Sequence, residues 1–217
     1  MSAAGGTPAI PTPTVHLKFE NDSLDSSGNG YDFTNTSVTF SSGTKKTGSY
    51  SAYFNGAAQL TRANQAALNP RTGEFAFCFW FNKGTATAYH NWGNTTDSDG
   101  VELQWNGNTD IRWYGTHATQ ILTASTGDNA WHWICIQRTA TQMEMYLDNA
   151  TTPSVTFSGT NWNADINPTG LYRLGNVYNS SVYYTGYLDD FRAHIGFSLT
   201  QAQREAIYNS GTGTEAP

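Results

Sequence analysis

A chain of 217 residues with 13% charged side chains, a net charge of −6 and no cationic run longer than Lys45-Lys46 offers no basic groove for a phosphate backbone, which excludes nucleic acid as a partner class. No apolar run reaches the roughly 18 residues that a membrane helix needs, so no membrane insertion by a helix is expected. Aromatic residues at 14% and 21 glycines, with Asn, Ser and Thr crowding the gaps between apolar runs, point to sheet.

The first 14 residues carry Pro8, Pro11 and Pro13, which forbid a helix and predict an extended arm. They show no basic segment followed by an apolar one, so a secretory signal is not expected there. From Val15 the chain reads as short strands between turns. Val15 to Phe19 alternates apolar and polar, the polar Asn21 to Gly30 follows, and Tyr50 to Phe54 ends at Asn55-Gly56. Glu74 to Phe81 (EFAFCFWF) is apolar on both parities, as in a sheet covered on both faces. Val101 to Trp105 and Asp110 to Tyr114 flank Asn106-Gly107, a strong hairpin signal. Trp131 to Arg138 (WHWICIQR) predicts another central strand, and Gln142 to Leu147 leads to a turn at Asp148-Asn149. Tyr172 to Gly175 and Tyr187 to His194 close the β region. One helix is predicted, Thr200 to Tyr208 with Thr200 as its cap, followed by a flexible tail over 210–217. About a dozen strands without alternating helices predict an all-β, antiparallel two-sheet β-sandwich of jelly-roll type, spanning 15–209, with one short C-terminal helix.

Cys78 and Cys135 both fall inside predicted strands. Two cysteines make no disulfide framework, and buried thiols are the plain reading, with a bridge as the alternative.

In order along the chain, LKFENDSLDSSGNGYDF, SAYFNG, FAFCFWF, WHWICIQR with MEMYLDN, and YLDDFRAH leading to LTQAQREAIY resemble the laminin-G-like, concanavalin A-like jelly-roll domains. The resemblance implies fold more than function. The family's hairpin usually has Gly where Asn149 stands, and about one extra residue is expected between Arg192 and Leu199.

Glycosidases of this sandwich carry two carboxylates about two residues apart on one strand. None of the six glutamates stands in such an array; Glu144 and Asp148 come nearest, with a four-residue gap that ends in a turn. No nucleophile motif is present and the five histidines lack metal spacing, so no catalytic residue is assigned and no enzyme is expected. His132, inside a strand, is read as structural.

The resemblance implies one structural calcium ion, held by Glu20, the Gly56 carbonyl and Asp189. Asp189 shares strand parity with Phe191, so its carboxylate is expected to point inward. The same resemblance implies glycan binding, for which exposed aromatic rings among amide side chains are needed. Trp92, Trp162 and the Tyr183-Tyr184 pair, in or beside Asn/Thr-rich loops, are the candidates, whereas Trp80, Trp131 and Trp133 are assigned to the core.

A low-charge sandwich with an extended Pro-rich arm suits a structural or binding protein on a virion surface, such as a bacteriophage capsid-decoration or appendage protein. Its arm would meet capsid or tail proteins, it would form a homo-oligomer such as a trimer, and it would bind cell-surface glycans. The alternatives are a carbohydrate-binding module of an extracellular bacterial protein and, against the missing carboxylate pair, a glycoside hydrolase.

Overall fold

The computed structural model describes residues 9–84, 88–92, 100–107, 110–115, 118–176 and 183–216, with 88–92, 114–115 and 118–120 as backbone. Fifteen strands build two antiparallel sheets among these residues. In chain order they are β1 (Val15–Leu17), β2 (Thr34–Thr36), β3 (Thr39–Ser41), β4 (Ser51–Asn55), β5 (Gln59–Arg62), β6 (Phe75–Lys83), β7 (Ala88–Trp92) and β8 (Val101–Asn106). There follow β9 (Asp110–Gly115), β10 (Ala118–Thr123), β11 (Trp131–Arg138), β12 (Met143–Leu147), β13 (Val155–Phe157), β14 (Tyr172–Leu174) and β15 (Thr185–Ile195), then the helix α1 (Gln201–Tyr208).

The eight-stranded sheet runs β13-β12-β11-β6-β15-β4-β3, with β1 pairing the second half of β15 beside β4. The seven-stranded sheet runs β10-β9-β8-β7-β14-β5-β2. Alternation decides which side chains meet between them. Phe75, Phe77, Phe79 and Phe81 of β6 and Ile134 and Ile136 of β11 turn inward against Leu103, Trp105 and Ile111 of the other sheet.

The opposite parity of the same strands forms a second apolar layer. Ala76, Cys78, Trp80, Trp133 and Cys135 lie on the outer face of the eight-stranded sheet, where Leu199 and Ile207 cover them. Tyr208 stacks on Trp80 at 5.6 Å and leans on Trp133 at 5.3 Å. The helix begins at the predicted place because Thr200 and Gln203 form a reciprocal capping box. Two-sided burial thus explains why EFAFCFWF and WHWICIQR are apolar on both parities.

Register puts Cys78 directly opposite Cys135, and the two form a disulfide, so the plain reading of buried thiols is corrected. The tail expected to be flexible is docked: Arg192 donates to the Thr214 carbonyl, and Gly213 sits against Trp80 with no room for a side chain.

A β-bulge between Asp189 and Arg192 inserts one extra residue into β15, with Asp190 at φ 48°. The bulge lies before Arg192 and so is not the extra residue expected between Arg192 and Leu199. Leu188 and Phe191 both face the inner core, so the bulge reverses parity between them. Asp189 consequently faces the outer side, opposite Trp80, and the inward orientation expected from parity with Phe191 is corrected.

Candidate functional site

Where the helix and tail stop, the outer face of the eight-stranded sheet carries a row of side chains across four adjacent strands. Register aligns Tyr53 of β4 with Tyr187 of β15, Tyr187 with Asn82 of β6, and Asn82 with Trp131 of β11. The Tyr53 and Tyr187 rings lie 4.8 Å apart, and Trp131 is 6.4 Å from Tyr187. All three aromatic rings are half-buried, which leaves a ring face or edge for a ligand. A cleft of about 380 Å³ opens beside them, lined by Tyr53, Asn82, Lys83, Asn129, Thr185 and Tyr187 over a floor of Gly84 and Gly186. That volume falls within the range of small-ligand sites.

The floor is fixed by close backbone approach. A Cβ at Gly186 would lie 2.3 Å from the Asn82 carbonyl oxygen, and its φ of 146° is one that L side chains rarely adopt. Beneath it the Tyr184 hydroxyl donates to the carbonyls of Asn82 at 3.2 Å and Tyr187 at 3.0 Å. The Asn82 amide is oriented by donating to the Asn129 carbonyl at 2.8 Å.

Of the three candidate aromatics whose side chains are described, Trp162, Tyr183 and Tyr184, none lines this cleft. Tyr184 is wholly buried, edge-on to Phe54 at 5.8 Å, so its expected exposure is corrected: it is a pillar, not a platform. Tyr183 is half-buried and bridges Asn176, and Trp162 is half-buried against the inner core. Trp92 ends β7, and its side chain lies outside the described residues. Trp131, assigned to the core, packs half-buried against the outer apolar cluster at its edge, opposite Asn82.

The residues expected to hold calcium are only partly brought together. The Gly56 amide donates to the carbonyl of Tyr184, just before β15 and five residues from Asp189, a separation of roughly 16 Å in extended chain. The Gly56 carbonyl therefore does not belong with the other two, which is a correction. Glu20 and Asp189 instead flank the loop that contains Gly48: Asp189 Oδ2 accepts from the Lys46 and Thr47 amides, and Glu20 Oε1 from those of Ser49 and Tyr50. Glu215 of the docked tail completes the group, and a Cβ at Gly48 would sit 1.8 Å from its Oε1 and 2.2 Å from Glu20 Oε1. Burial pushes the Asp189 carboxyl up to about 8 and that of Glu215, beside Glu20, up to about 7. Asp189 Oδ1 and Glu215 Oε1 are buried without a partner. Among the described residues no three His, Cys, Asp or Glu side chains form a ready-made metal centre.

The carboxylates nearest to a hydrolase pattern are committed elsewhere. Glu144 accepts from Gln137, Gln142 and Tyr146, and Asp148 is held by His132 at 2.6 Å and the Trp133 amide at 2.8 Å.

A family model described as the concanavalin A-like lectin/glucanases superfamily, Laminin_G_3, matches residues 55–203. Among solved structures, the binding domain of Paraclostridial Mosquitocidal Protein 1 superimposes with a TM-score of 0.75 at 16% identity, over 92% of this chain and 52% of that one. Domain 4 of AbnA, an extracellular GH43 arabinanase from Geobacillus stearothermophilus solved with arabinotriose, gives 0.69 at 18% identity over 94% and 98%. A structure of botulinum neurotoxin type C, whose cell entry depends on two ganglioside molecules, gives 0.63 at 12% identity over 92% and 51%. The chain thus spans about half the length of the toxin chains it resembles. No curated protein matches it by sequence.

Proposed function

Because the chain belongs to the concanavalin A-like lectin/glucanases superfamily, we propose that it is a non-catalytic, lectin-like glycan-binding module whose ligand seats in the cleft beside Tyr53 and Tyr187. The observation that carries this reading is the cross-strand row Tyr53–Tyr187–Asn82–Trp131, which offers apolar ring faces and an oriented amide around a cleft of ligand size. A sugar has the matching chemistry: C–H faces that lie on rings, and hydroxyls that pair with amides. The arabinotriose-bound module of the same fold supports the class without fixing the ligand. Binding of a glycan panel by calorimetry tests it. Tyr187→Ala is expected to weaken the best ligand at least about tenfold, or about 1.4 kcal/mol. Equal loss on Trp162→Ala would move the site elsewhere, and no binding to any glycan would remove the reading.

An extracellular setting fits the Cys78–Cys135 disulfide, since such bonds persist in oxidising compartments. The virion-surface reading, with capsid or tail partners reached through residues 1–14 and a homotrimer, keeps only its basis in the sequence; residues 1–8 lie outside the described ones, and nothing in residues 9–14 favours it.

A structural calcium ion is proposed on a changed ligand set at the Gly48 loop: Asp189, Glu20 and Glu215 are not a ready-made centre and would have to close on the ion, with main-chain carbonyls and water completing six to eight oxygens. The orphaned Asp189 Oδ1 and Glu215 Oε1 and the side-chain-free Gly48 between the two glutamates are its basis. EDTA at pH 7.5 is then expected to lower the melting temperature of the wild type and not of Asp189→Asn; an unchanged midpoint in both counts against the ion.

A further inference from the structure

One wall of the cleft belongs to a turn with little packing of its own. Asp128, Asn129 and Ala130 are exposed, Asn129 lines the cleft, and its φ is 61°. Hydrogen bonds fix this turn instead. The Asn129 amide donates to the Lys83 carbonyl at 3.0 Å, and the Asn82 side chain donates to the Asn129 carbonyl at 2.8 Å. The Ala130 amide donates to Asp128 Oδ1 at 2.8 Å. His132 of β11 adds a side-chain tie to the sheet: its Nε2 lies 3.1 Å from the same Asp128 oxygen, and its Nδ1 lies 2.6 Å from Asp148 Oδ2.

A carboxylate oxygen only accepts, so both ring nitrogens must donate, which a neutral imidazole cannot do. The two bonds together therefore belong to the imidazolium. Loss of its proton leaves the shorter bond on Nδ1 and aims the Nε2 lone pair at Asp128, which turns a tie into a repulsion. The bond to Asp148, with a smaller part from Asp128, raises the His132 pKa above its ordinary 6.5 against the effect of burial. Asp128 is held below the usual carboxylate range, chiefly by the Ala130 amide. Other groups around the ring are turned elsewhere. Lys83 directs its ammonium to the Gly84 and Gly107 carbonyls, and Lys46 lies over the Trp80 ring. The Tyr208 hydroxyl donates to the Asp148 carbonyl, and Phe81 offers an uncharged ring 5.6 Å from the imidazole.

Resting on the glycan-binding reading above, we infer that His132 is a positioning residue for the cleft: charged, it pins the 128–130 turn that holds the Asn82 amide in place, so a glycan binds more tightly at mildly acidic than at mildly alkaline pH. Two measurements on the whole chain test this. In the free protein, NMR follows the His132 ring and the Asn82 side-chain amide together. The amide signals are expected to shift with the midpoint of the ring, and both midpoints are expected to fall in Asp128→Asn. An Asn82 amide that ignores the ring overturns the inference and leaves glycan binding standing. Calorimetry uses the uncharged probes arabinotriose, galactotriose and lactose. The best binder is expected to lose about fivefold or more in affinity to the wild type from pH 5.5 to pH 8.5, and to stay within about twofold in His132→Gln. The same pH dependence in both proteins would assign it to another group, such as Lys83, and overturn the inference. Failure of all three probes at pH 5.5 would count against the glycan reading itself, and the inference would fall with it.

Discussion

The outer face of the eight-stranded sheet is one surface with two fates. At one part of it Trp80, Trp133 and the Cys78–Cys135 bridge lie under Leu199, Ile207 and Tyr208, and the chain from Gly213 to Glu215 crosses beside them. Two residues further along the same strands, Asn82 and Tyr187 border a cleft, and Trp131 beside them is half-buried at the edge of the covered cluster. The strands, their pleat and even the residue types are the same in both parts. What separates structural aromatics from binding aromatics is therefore a helix that arrives some 70 residues later in the chain, not anything local to the strands.

Three experiments break or sharpen this contrast. The largest effect is expected from Trp133→Ala, which empties a site under the helix and should cost about 3–5 kcal/mol in chemical denaturation. Trp131→Ala, two residues away, should cost about 1 kcal/mol or less and show its effect in glycan affinity; equal destabilisation by both would erase the distinction. Next comes the bridge, which lies wholly in the covered part. Replacing Cys78 and Cys135 together by Ala is expected to cost about 2–5 kcal/mol while leaving glycan affinity within about twofold.

A third effect separates two buried groups by the sign of their pH dependence. Under the covered part Asp189, at 0% exposure, holds its proton up to about pH 8, whereas the unfolded chain releases it near 3.8. Its contribution is complete below the unfolded value and is lost as pH rises through the folded one. In EDTA, Asp189→Asn should gain on the wild type by about 5 °C or more in melting temperature between pH 5 and pH 9. Lys83, buried at the end of β6, has the opposite sign. Its folded pKa of about 8 lies below the ordinary 10.5, so the folded state is penalised at low pH and recovers as pH rises from about 8 to 10.5. Lys83→Met should remove that recovery. Parallel pH profiles for the wild type and both variants would contradict these assignments.

Much of the fold is legible in the sequence because each signal is local. The Asn106-Gly107 turn joins β8 to β9, and Thr200 with Gln203 starts the helix where the capping pattern says. The doubly apolar strands announce cover on both faces. The site is less legible, for reasons of packing. WHWICIQR gives Trp131 and Trp133 the same parity and similar neighbours, and only the reach of α1 tells them apart. Tyr184 sits in a polar stretch and is nonetheless the most buried of the proposed platforms, because β15 begins one residue later and pulls it under the sheet. The pairing of Cys78 with Cys135 depends on the register of β6 against β11, which neither strand encodes alone. Gly48 and Gly56 are both turn glycines by composition; the acidic group lies beside the first only because the tail docks there.

The extra residue in β15 has one further consequence. This strand is flanked by β6 along one edge and by β4 and β1 along the other, so three partners read its spacing at once. Excising Asp190 would remove the extra residue and restore regular alternation, leaving Leu188, Phe191 and Ala193 inward and Arg192 and His194 on the other face, at the cost of the contacts Asp190 makes with His16 and Arg192. A one-codon deletion at that point should thus keep the register of β15, whereas the same deletion in the regular ladder of β6 would turn every later side chain of that strand to the other face.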